Sequence, residues 1–307
     1  MAEDNGSSVQ LFDRVARVLV SLPSGSFSDT DPSQNTLIVG SGDDAGDPGL
    51  RIVVKITKTS GKDPNTSEVV IYNLAPTTRA KLQAKGVRLV VEAGYRAAGV
   101  QRIFVGDART IDHVREGPDF KTVIKLGDGE RSIRYARASQ SFAGGSTVAQ
   151  VVDHCAKAMG LSLGNVGTQL PALGKVLYNG WTAHGAASTE LERILRAVNY
   201  SYSVQEGQIQ ILAPGQSIAQ AITQLAPDSG LIGSPEMGSP EKIGKPQALK
   251  FRALLLAEAR PGGRVHLKSD RYDGIFRLRK VSHSFDTRGG DWYTDMEGIA
   301  DSTVRVA

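Results

Sequence analysis

The first third of the chain has the hydrophobic pattern of short β-strands. Six segments are rich in β-branched residues and partly alternate apolar with polar positions: RVARVLVSL, LRIVVKITKT, EVVIYNL, VRLVVEAGY, RIFVGDARTIDHV and FKTVIKLGDG. Gly, Pro, Asn and Asp separate them, as expected for turns. The pattern predicts a β-barrel or sandwich. One short helix interrupts it, with Pro76 in its first turn and Gly86 just after its last residue.

The middle of the chain changes to a helical period. In GGSTVAQVVDHCAKAMG, Thr147 and Gln150 have capping-box spacing and Gly160 is a helix stop. A second apolar stripe follows in STELERILRAV, where Thr189 and Glu192 repeat that spacing. The stripes are Val148, Val151, Val152, Cys155 and Met159, then Leu191, Ile194, Leu195 and Val198. Two strands that turn at Glu206-Gly207 complete a small α/β unit, entered through the flexible AGGS at 143–146.

The last third returns to β-structure after a stretch that is rich in Gly and Pro. Residues 229–246, SGLIGSPEMGSPEKIGKP, have no period and predict a long connecting loop. We therefore divide the chain into a β domain at 9–130, an inserted α/β domain at 131–215, and a linker loop with a second β domain at 216–303. The predicted fold class is mainly β with an α+β insert.

A short internal repeat supports two related β domains. Residues 103–122 align without a gap to residues 275–294, which matches Ile103-Phe104 to Ile275-Phe276 and Thr122 to Thr294. The matches lie where a strand starts, where a Gly-containing turn reverses it, and where its partner begins. His283 falls opposite Ile111 and His113 opposite Phe285, so the alignment predicts a repeated hairpin without repeated chemistry.

Strand alternation also decides between an active site and a sheet in VSHSFDTRGGDWYTDMEGI, residues 281–299. Ser282, Ser284 and Asp286 should face one side, and His283 and Phe285 the other. A catalytic pair of His283 with Asp286 within this strand is therefore disfavoured.

The other candidate sites have simpler interpretations. TLIVGSGDDA, residues 36–45, imitates a dinucleotide fingerprint, but the AGDPG that follows forbids the required helix, so a surface loop is favoured. Asp43, Asp44 and Asp47 do not have the spacing of a Ca²⁺ loop. His154 and Cys155 diverge by about 100° on a helix, and Cys155 belongs to the apolar stripe. We predict no catalytic, cofactor-binding or metal site.

Composition and charge fit a folded protein with a polarised surface. The 307 residues are 40% hydrophobic and 22% charged, and no apolar run suggests a membrane span or a secretory signal. One cysteine excludes an intrachain disulfide. Residues 1–50 carry eight acidic and two basic side chains, whereas residues 250–290 carry four acidic and ten basic ones. The basic residues stand singly on strands, which favours contacts between subunits over nucleic-acid recognition.

Several motifs in order carry a family resemblance over about residues 10 to 300. They are VVIYNLAPTTRAKLQAKGVRLVVEAGY, RIFVGDA, LERILRAVNYSYSVQEGQIQIL, SGLIGSPE, RPGGRVHLKSD and GIFRLRKVSHSFDTRGGDWYT. In these segments the chain resembles the baseplate hub proteins of contractile-tailed bacteriophages. This is the late-control-protein-D-like family, which also resembles the hub part of type VI secretion spikes.

The resemblance implies a structural role without catalysis or a cofactor. Such hubs have two tail-tube-like β domains per subunit with a smaller domain between them, and three subunits form a ring of six similar domains. The ring joins a sixfold tail tube or a distal tube-initiator protein to a threefold spike. It leaves a channel for the tape measure protein and then for DNA, whose contact would be transient and non-specific. The expected place is the baseplate of the virion tail, assembled in the bacterial host cytoplasm with other baseplate proteins.

Two alternatives remain open from the sequence. A peptidoglycan-degrading tail protein would need paired carboxylates, which are not evident. A peptidoglycan-binding tail protein could use residues 140–215, whose helix and short hairpin resemble a LysM-like shape. For the hub, we place contacts between subunits or with the spike in the loop at 229–246.

Overall fold

A computed structural model of the protein describes residues 13–21, 36–41, 49–164, 170–218, 221–238, 247–301 and 305–306. The described chain is mainly β, with its longer helices in the middle. This confirms the predicted fold class. Of the dinucleotide-like segment at 36–45, only residues 36–41 are described, and they form a strand. Asp43, Asp44 and Asp47 lie outside the described residues.

The first region contains one short helix among its strands. Helix α1 (Pro76–Leu82) begins at the predicted proline but ends before Gly86, which follows with a φ of +86° in the turn to the next strand. The strands are β1 (Arg14–Ser21), β2 (Thr36–Ser41), β3 (Ile52–Thr59), β4 (Thr66–Tyr72), β5 (Arg88–Tyr95), β6 (Gly99–Glu116) and β7 (Asp119–Gly127).

The middle region packs helices against a three-stranded sheet. Its helices are α2 (Glu130–Tyr135), α3 (Val148–Met159), a 3₁₀ turn (Pro171–Gly174) and α4 (Ala187–Ala197). Its strands are β8 (Arg137–Phe142), β9 (Ser146–Thr147), β10 (Ser162–Leu163), β11 (Val176–Leu177), β12 (Trp181–Ala186), β13 (Ser201–Gln205) and β14 (Gln208–Leu212). The sheet has the order β10-β14-β13, while β8 pairs with β12 and β9 with β11.

Local signals explain most helix and turn positions in this region. Thr147 and Gln150 form the predicted capping box of α3, and Gly160 ends the helix in the left-handed conformation. The second capping box is wrong, because α4 already begins at Ala187 and Thr189 lies inside its first turn. Glu206 and Gly207 turn between β13 and β14 with φ of 56° and 78°, values that suit a two-residue hairpin.

The last region adds β15 (Thr223–Leu225), a 3₁₀ turn (Pro227–Ser229), β16 (Leu231–Met237), β17 (Leu249–Leu254), β18 (Arg264–Lys268), β19 (Tyr272–Asp286), β20 (Trp292–Ala300) and β21 (Arg305–Val306). The prediction of a long connecting loop at 229–246 is wrong for residues 231–237, which pair antiparallel with β17. A bulge between Ile232 and Glu236 hides the strand period in the sequence. Residues 239–246 lie outside the described part.

One large sheet contains strands from both β regions. Its main path is β16-β17-β20-β19-β3-β4-β7-β6-β5-β1-β2, with β18 and β21 joining β19 and β15 joining β18. The first region therefore has the order β3-β4-β7-β6-β5-β1, and the last has β16-β17-β20-β19-β18-β15. Each is built around one hairpin, β6–β7 or β19–β20, so the predicted hairpin repeat extends to the neighbouring strands. The two orders differ in direction at one pair: β15 runs parallel to β18, whereas the corresponding β1 runs antiparallel to β5.

Three apolar clusters hold these elements. The insert has its own core, built from residues between 138 and 211. The last region has a core of its own. Phe285 and Trp292 also belong to the last region, but they pack in the core of the first region. The proposed domain boundaries stay a prediction, since one β-strand, β19, contributes to two cores.

Candidate assembly site

The two β regions meet where β19 pairs with β3. The strands run antiparallel over residues 280–286 and 53–59. His283 lies opposite Ile56 in this register, and both side chains are buried. The joint between the regions is therefore a continuation of the sheet with apolar packing beneath it, which fixes both regions in one register.

Polar contacts close one end of the joint. Arg51 donates two hydrogen bonds to the Asp286 carboxylate, at 3.1 and 2.6 Å. The backbone N–H of Ile52 donates to the Thr287 hydroxyl at 2.9 Å. Burial alone would raise the pKa of Asp286, but the bonds from Arg51 and from backbone N–H groups hold it below its ordinary value. Asp286 is thus used for structure, and it does not form the catalytic pair with His283 that the sequence already disfavoured.

A polar face crosses the joint without interruption. Successive partners in the ladders place side chains in rows that run across strands of both regions, on the face opposite the buried one. One row is Tyr293, Ser284, Lys55, Glu68, Lys125 and Thr110. A second row is Arg252, Asp295, Ser282, Thr57 and Thr66. We call these two rows the polar sheet face.

The two hairpins share a β-bulge at an arginine. The register of β6 with β7 shifts at Arg109, and that of β19 with β20 shifts at Arg279. Each arginine forms an ion pair with a carboxylate, Arg109 with Glu130, and Arg279 with Glu297 at 3.1 Å. The same irregularity at the same place in both hairpins is strong support for two copies of one structural unit.

The hairpins also share a histidine–threonine pair. The fourth residue after each bulge is a histidine, and its Nδ1 lies within hydrogen-bond distance of a threonine hydroxyl on the partner strand. The distances are 3.1 Å for His113 with Thr122 and 3.0 Å for His283 with Thr294. The ungapped alignment is therefore wrong by two residues for β6 against β19. The reason is that the turn between β19 and β20 is two residues longer than the turn between β6 and β7. The conclusion that no side-chain chemistry recurs was wrong for the same reason.

A buried charge cluster joins the insert to the large sheet. Lys58 of β3 has a fully buried side chain, and its Nζ lies 2.8 Å from Glu206 Oε1 in the β13–β14 turn. Arg260 lies 3.2 Å from the other oxygen of Glu206. Burial, and after it the charge of Lys58, hold the pKa of His283 well below its ordinary value. Lys58 is thus the centre of a contact among all three regions.

Amide groups complete this cluster. The Asp128 carboxylate accepts the backbone N–H groups of Glu206 and Gly207 at 2.6 and 2.9 Å. Asn65 Nδ2 donates to the Val204 carbonyl at 2.8 Å and to the Gln205 side chain at 2.9 Å. Burial raises the pKa of Asp128 to about 6 in spite of these bonds. The turn of the insert is therefore held by directional contacts that a flexible linker would not make.

The alternation of strand β3 is a sequence signal for the buried position of Lys58. The strand IVVKITKT alternates, and its inward positions are Ile52, Val54, Ile56 and Lys58. A lysine at an inward position of a strand must find a buried partner. Its partner in the insert lies 148 residues later, so the pairing itself could not be seen in the sequence.

The remaining candidate residues have structural environments. Cys155 is buried in the insert core, and burial raises its pKa to about 11. The ring of His154 packs edge-on against Phe142 with centroids 5.8 Å apart. Within the described ranges, no group of three or more His, Cys, Asp and Glu side chains could hold a metal ion. The described helices include none that is long and apolar enough to span a membrane.

A shallow groove of about 560 Å³ lies along α4 in the insert. Trp181, Thr189 and Arg193 are among its lining residues. A tryptophan ring could stack on a sugar, but Trp181 is half-buried against the insert core, and the Arg193 guanidinium lies 4.5 Å from the centre of its ring. The groove therefore does not favour the glycan-binding alternative.

Comparisons with known proteins agree with this architecture. The prophage MuSo2 43 kDa tail protein from Shewanella oneidensis has a similar structure, with a TM-score of 0.63 at 9% identity, covering 93% of this chain and 97% of that one. A type VI secretion component from E. coli, which exhibits structural similarity to T4 bacteriophage tail proteins gp27 and gp5, gives 0.55 at 12% identity over 82% and 74%. The Francisella PdpA-VgrG complex gives 0.54 at 8% identity over 96% and 59%.

These structural matches show the fold alone because their sequence identities are low. No curated protein matches the sequence. The sequence does match a family, baseplate hub gp41, over residues 34–298. That match covers most of both β regions, the insert and the joint between them, and it agrees with the resemblance carried by the sequence motifs. The chain therefore belongs to the baseplate hub gp41 family of phage tail proteins.

Proposed function

We propose that three copies of this chain form the hub ring of a contractile phage tail baseplate, joining the tail tube to the spike. The observation that carries this proposal is the repeated β unit. The order of six strands, the bulge at Arg109 or Arg279, and the histidine–threonine pair all occur twice. Three chains then supply six similar units around one axis, which lets a sixfold tube meet a threefold spike.

The joint shows how such units connect. Within the chain, β3 of the first region extends the sheet of the last region through β19. A ring needs the same kind of contact between chains, so that the sheet continues around the axis. The rigid joint and the buried cluster at Lys58 support a subunit that keeps one shape during assembly.

The polar sheet face is the surface we assign to the channel. It carries hydroxyl groups and charges of both signs, including Lys55 beside Glu68 and Arg252 bound to Asp295 at 2.7 Å. A channel that lets the tape measure protein and then DNA pass should not hold either tightly. Alternating charges without a large apolar patch meet that need, because they give no continuous surface for hydrophobic or phosphate binding.

The proposed partners follow from this position. They are two further copies of the chain, a spike protein below, the tail tube or a distal tube-initiator protein above, the tape measure protein inside, and other baseplate proteins outside. VgrG occurs in complex with PdpA in one structural neighbour, which supports a hub that is part of a larger spike assembly. We place assembly of the particle in the host cytoplasm. The role is structural and non-catalytic.

The mass of the purified protein tests this proposal. Light scattering during gel filtration should give three times the subunit mass of 32.7 kDa. Adding the spike protein encoded by the same phage should give a complex with three copies of each partner. A protein that stays monomeric at every concentration, alone and with its spike, would contradict the proposal. Clearing of bacterial cell walls by the purified protein would instead support the degrading alternative.

A further inference from the structure

Two strand edges are open at corresponding places in the repeated units. The distal half of β19 holds β3 on one side, but the equivalent half of β6, residues 109–116, has no strand on that side within the described chain. Strand β16 corresponds to β3, and it pairs with β17 alone in the described residues. Among the described strands, the end strand β16 thus has a free edge, and residues 109–116 of β6 have a free edge at the place where β19 binds β3.

We propose that β16 of one copy adds antiparallel to the distal half of β6 in the next copy, repeating between chains the β19–β3 joint within the chain. This inference rests on the proposed ring and names the contact that closes it. The two edges differ, so the contact is head-to-tail, and such contacts close into rings when the rotation between copies allows it. Each chain gives one β16 and accepts one.

The register on the β6 side follows from the histidine–threonine pair. His113 corresponds to His283, since each bonds the equivalent threonine of its hairpin. Val114 therefore corresponds to Ser284. Within the chain, Ser284 lies opposite Lys55 of β3. The residue of β16 that corresponds to Lys55 should thus lie opposite Val114.

The register on the β16 side follows from the ladders next to it. In the first region, Lys55 pairs with Glu68, and Glu68 pairs with Lys125. Lys125 in turn pairs with Thr110, the residue after the bulge at Arg109. In the last region, Glu236 pairs with Lys250, and Lys250 pairs with Glu297. Glu297 pairs with Lys280, the residue after the bulge at Arg279. Glu236 is therefore the counterpart of Lys55. Its neighbour Met237 is the counterpart of Ile56.

The transferred register places Val114 opposite Glu236 and His113 opposite Met237. The burial of Met237 supports it. Met237 is 50% exposed in the single chain, whereas its counterpart Ile56 is 1% exposed in the intact joint. Large apolar side chains on open strand edges favour strand addition. The proposed contact removes Met237 from water as the β19–β3 joint removes Ile56.

The bulge of β16 explains how this edge avoids wrong partners. Gly233 has a φ of 69° and Pro235 follows two residues later, within the register shift between β16 and β17. A bulge with a proline interrupts the row of hydrogen-bond donors, so only a partner with the right register pairs on both sides of it. The edge is thus suited to one partner strand and poorly suited to indiscriminate aggregation.

Disulfide trapping in the full chain tests the register. We would combine Val114→Cys with Glu236→Cys, since directly opposed residues have Cβ atoms at a distance close to that of a disulfide. Oxidation should give covalent species up to three times the 32.7 kDa subunit on a non-reducing gel. Ser284→Cys with Lys55→Cys is the positive control, because it closes the intact joint within one chain.

A wrong-register control uses the same two strands. Val114→Cys with Ile232→Cys should link poorly, because Ile232 is the counterpart of Val53 and should lie opposite Glu116. A trimer by mass whose Val114–Glu236 variant does not link, while the Ser284–Lys55 control closes, overturns this joint but leaves the ring in place. A protein that is monomeric at every concentration overturns both.

A charge at the edge gives an independent readout. Met237→Asp should convert the trimer to monomers, because it would place a carboxylate in the buried part of the contact. The far-ultraviolet circular dichroism should stay unchanged, because Met237 is half exposed in the single chain. The matched control is Ile38→Asp on the outer edge strand β2, since Ile38 is equally exposed at 50%. Loss of the trimer in both variants, or in neither, contradicts the proposed joint.

Discussion

Replacing Lys58 by methionine should destabilise the protein by about 3 kcal/mol. The lysine is fully buried and lies 2.8 Å from Glu206, so the substitution leaves a carboxylate without its main partner. Removing one member of a buried ion pair costs about 3–5 kcal/mol. We expect the lower end of that range because Arg260, at 3.2 Å, still contacts Glu206.

Urea unfolding at fixed protein concentration measures this effect. The chain has two tryptophans, Trp181 in the insert and Trp292 in the β core, so their fluorescence reports both regions. The matched control is Lys55→Met, an exposed lysine on the outward face of the same strand. It should change the free energy of unfolding by no more than about 0.5 kcal/mol.

A double-mutant cycle separates the ion pair from the loss of packing. Lys58→Met combined with Glu206→Gln should recover part of the loss, because no uncompensated carboxylate remains. Equal effects of Lys58→Met and Lys55→Met, or additive effects of the two changes in the cycle, would refute the argument that this pair connects the insert to the sheet.

Three other changes test separate parts of the structure. The Asp128 pKa is raised to about 6 by burial, so the folded state binds a proton more tightly than the unfolded state. The advantage of wild type over Asp128→Asn should then fall by about 2 kcal/mol as pH rises from 4 to 7; a flat difference between their urea curves would contradict it. Cys155, buried and with its pKa raised to about 11, should react with iodoacetamide only after unfolding, and rapid native labelling seen by mass spectrometry would show otherwise. Phe285→Ala should cost about 3–5 kcal/mol in urea unfolding, against about 0.5 kcal/mol or less for Tyr178→Ala, whose side chain is 87% exposed; similar costs would contradict the core assignment.

Local patterns predicted the elements whose causes are local. The capping box of Thr147 with Gln150 and the turn at Glu206-Gly207 were confirmed at their positions. Thr189 shows the limit of such patterns, because its spacing to Glu192 suits a cap although α4 begins earlier, at Ala187. Tertiary contacts account for both residues, since the Ala187 N–H donates to the Ala136 carbonyl at 3.1 Å at the helix start and Glu192 binds Lys62 at 3.0 Å.

The assembly site depends on contacts that no local pattern contains. The joint pairs residues more than 200 positions apart, such as Ser282 with Thr57. The hairpin repeat is visible in the sequence, but the ungapped alignment is wrong by two residues in the first strand because the two turns differ in length. The bulges at Arg109 and Arg279 lie at the same place in both hairpins and have no sequence signature. The sequence of strand β16 resembles a loop because its glycine and proline lie in a bulge.

End-on images of the purified protein by electron microscopy test the central claim most directly. If two copies of one β unit occur in each chain, averages computed without imposed symmetry should show a ring of six similar densities around an opening. Threefold differences should come from the inserts, which occur once per chain. A ring with three densities, or a compact particle without an opening, would contradict the account in which each chain supplies two equivalent units.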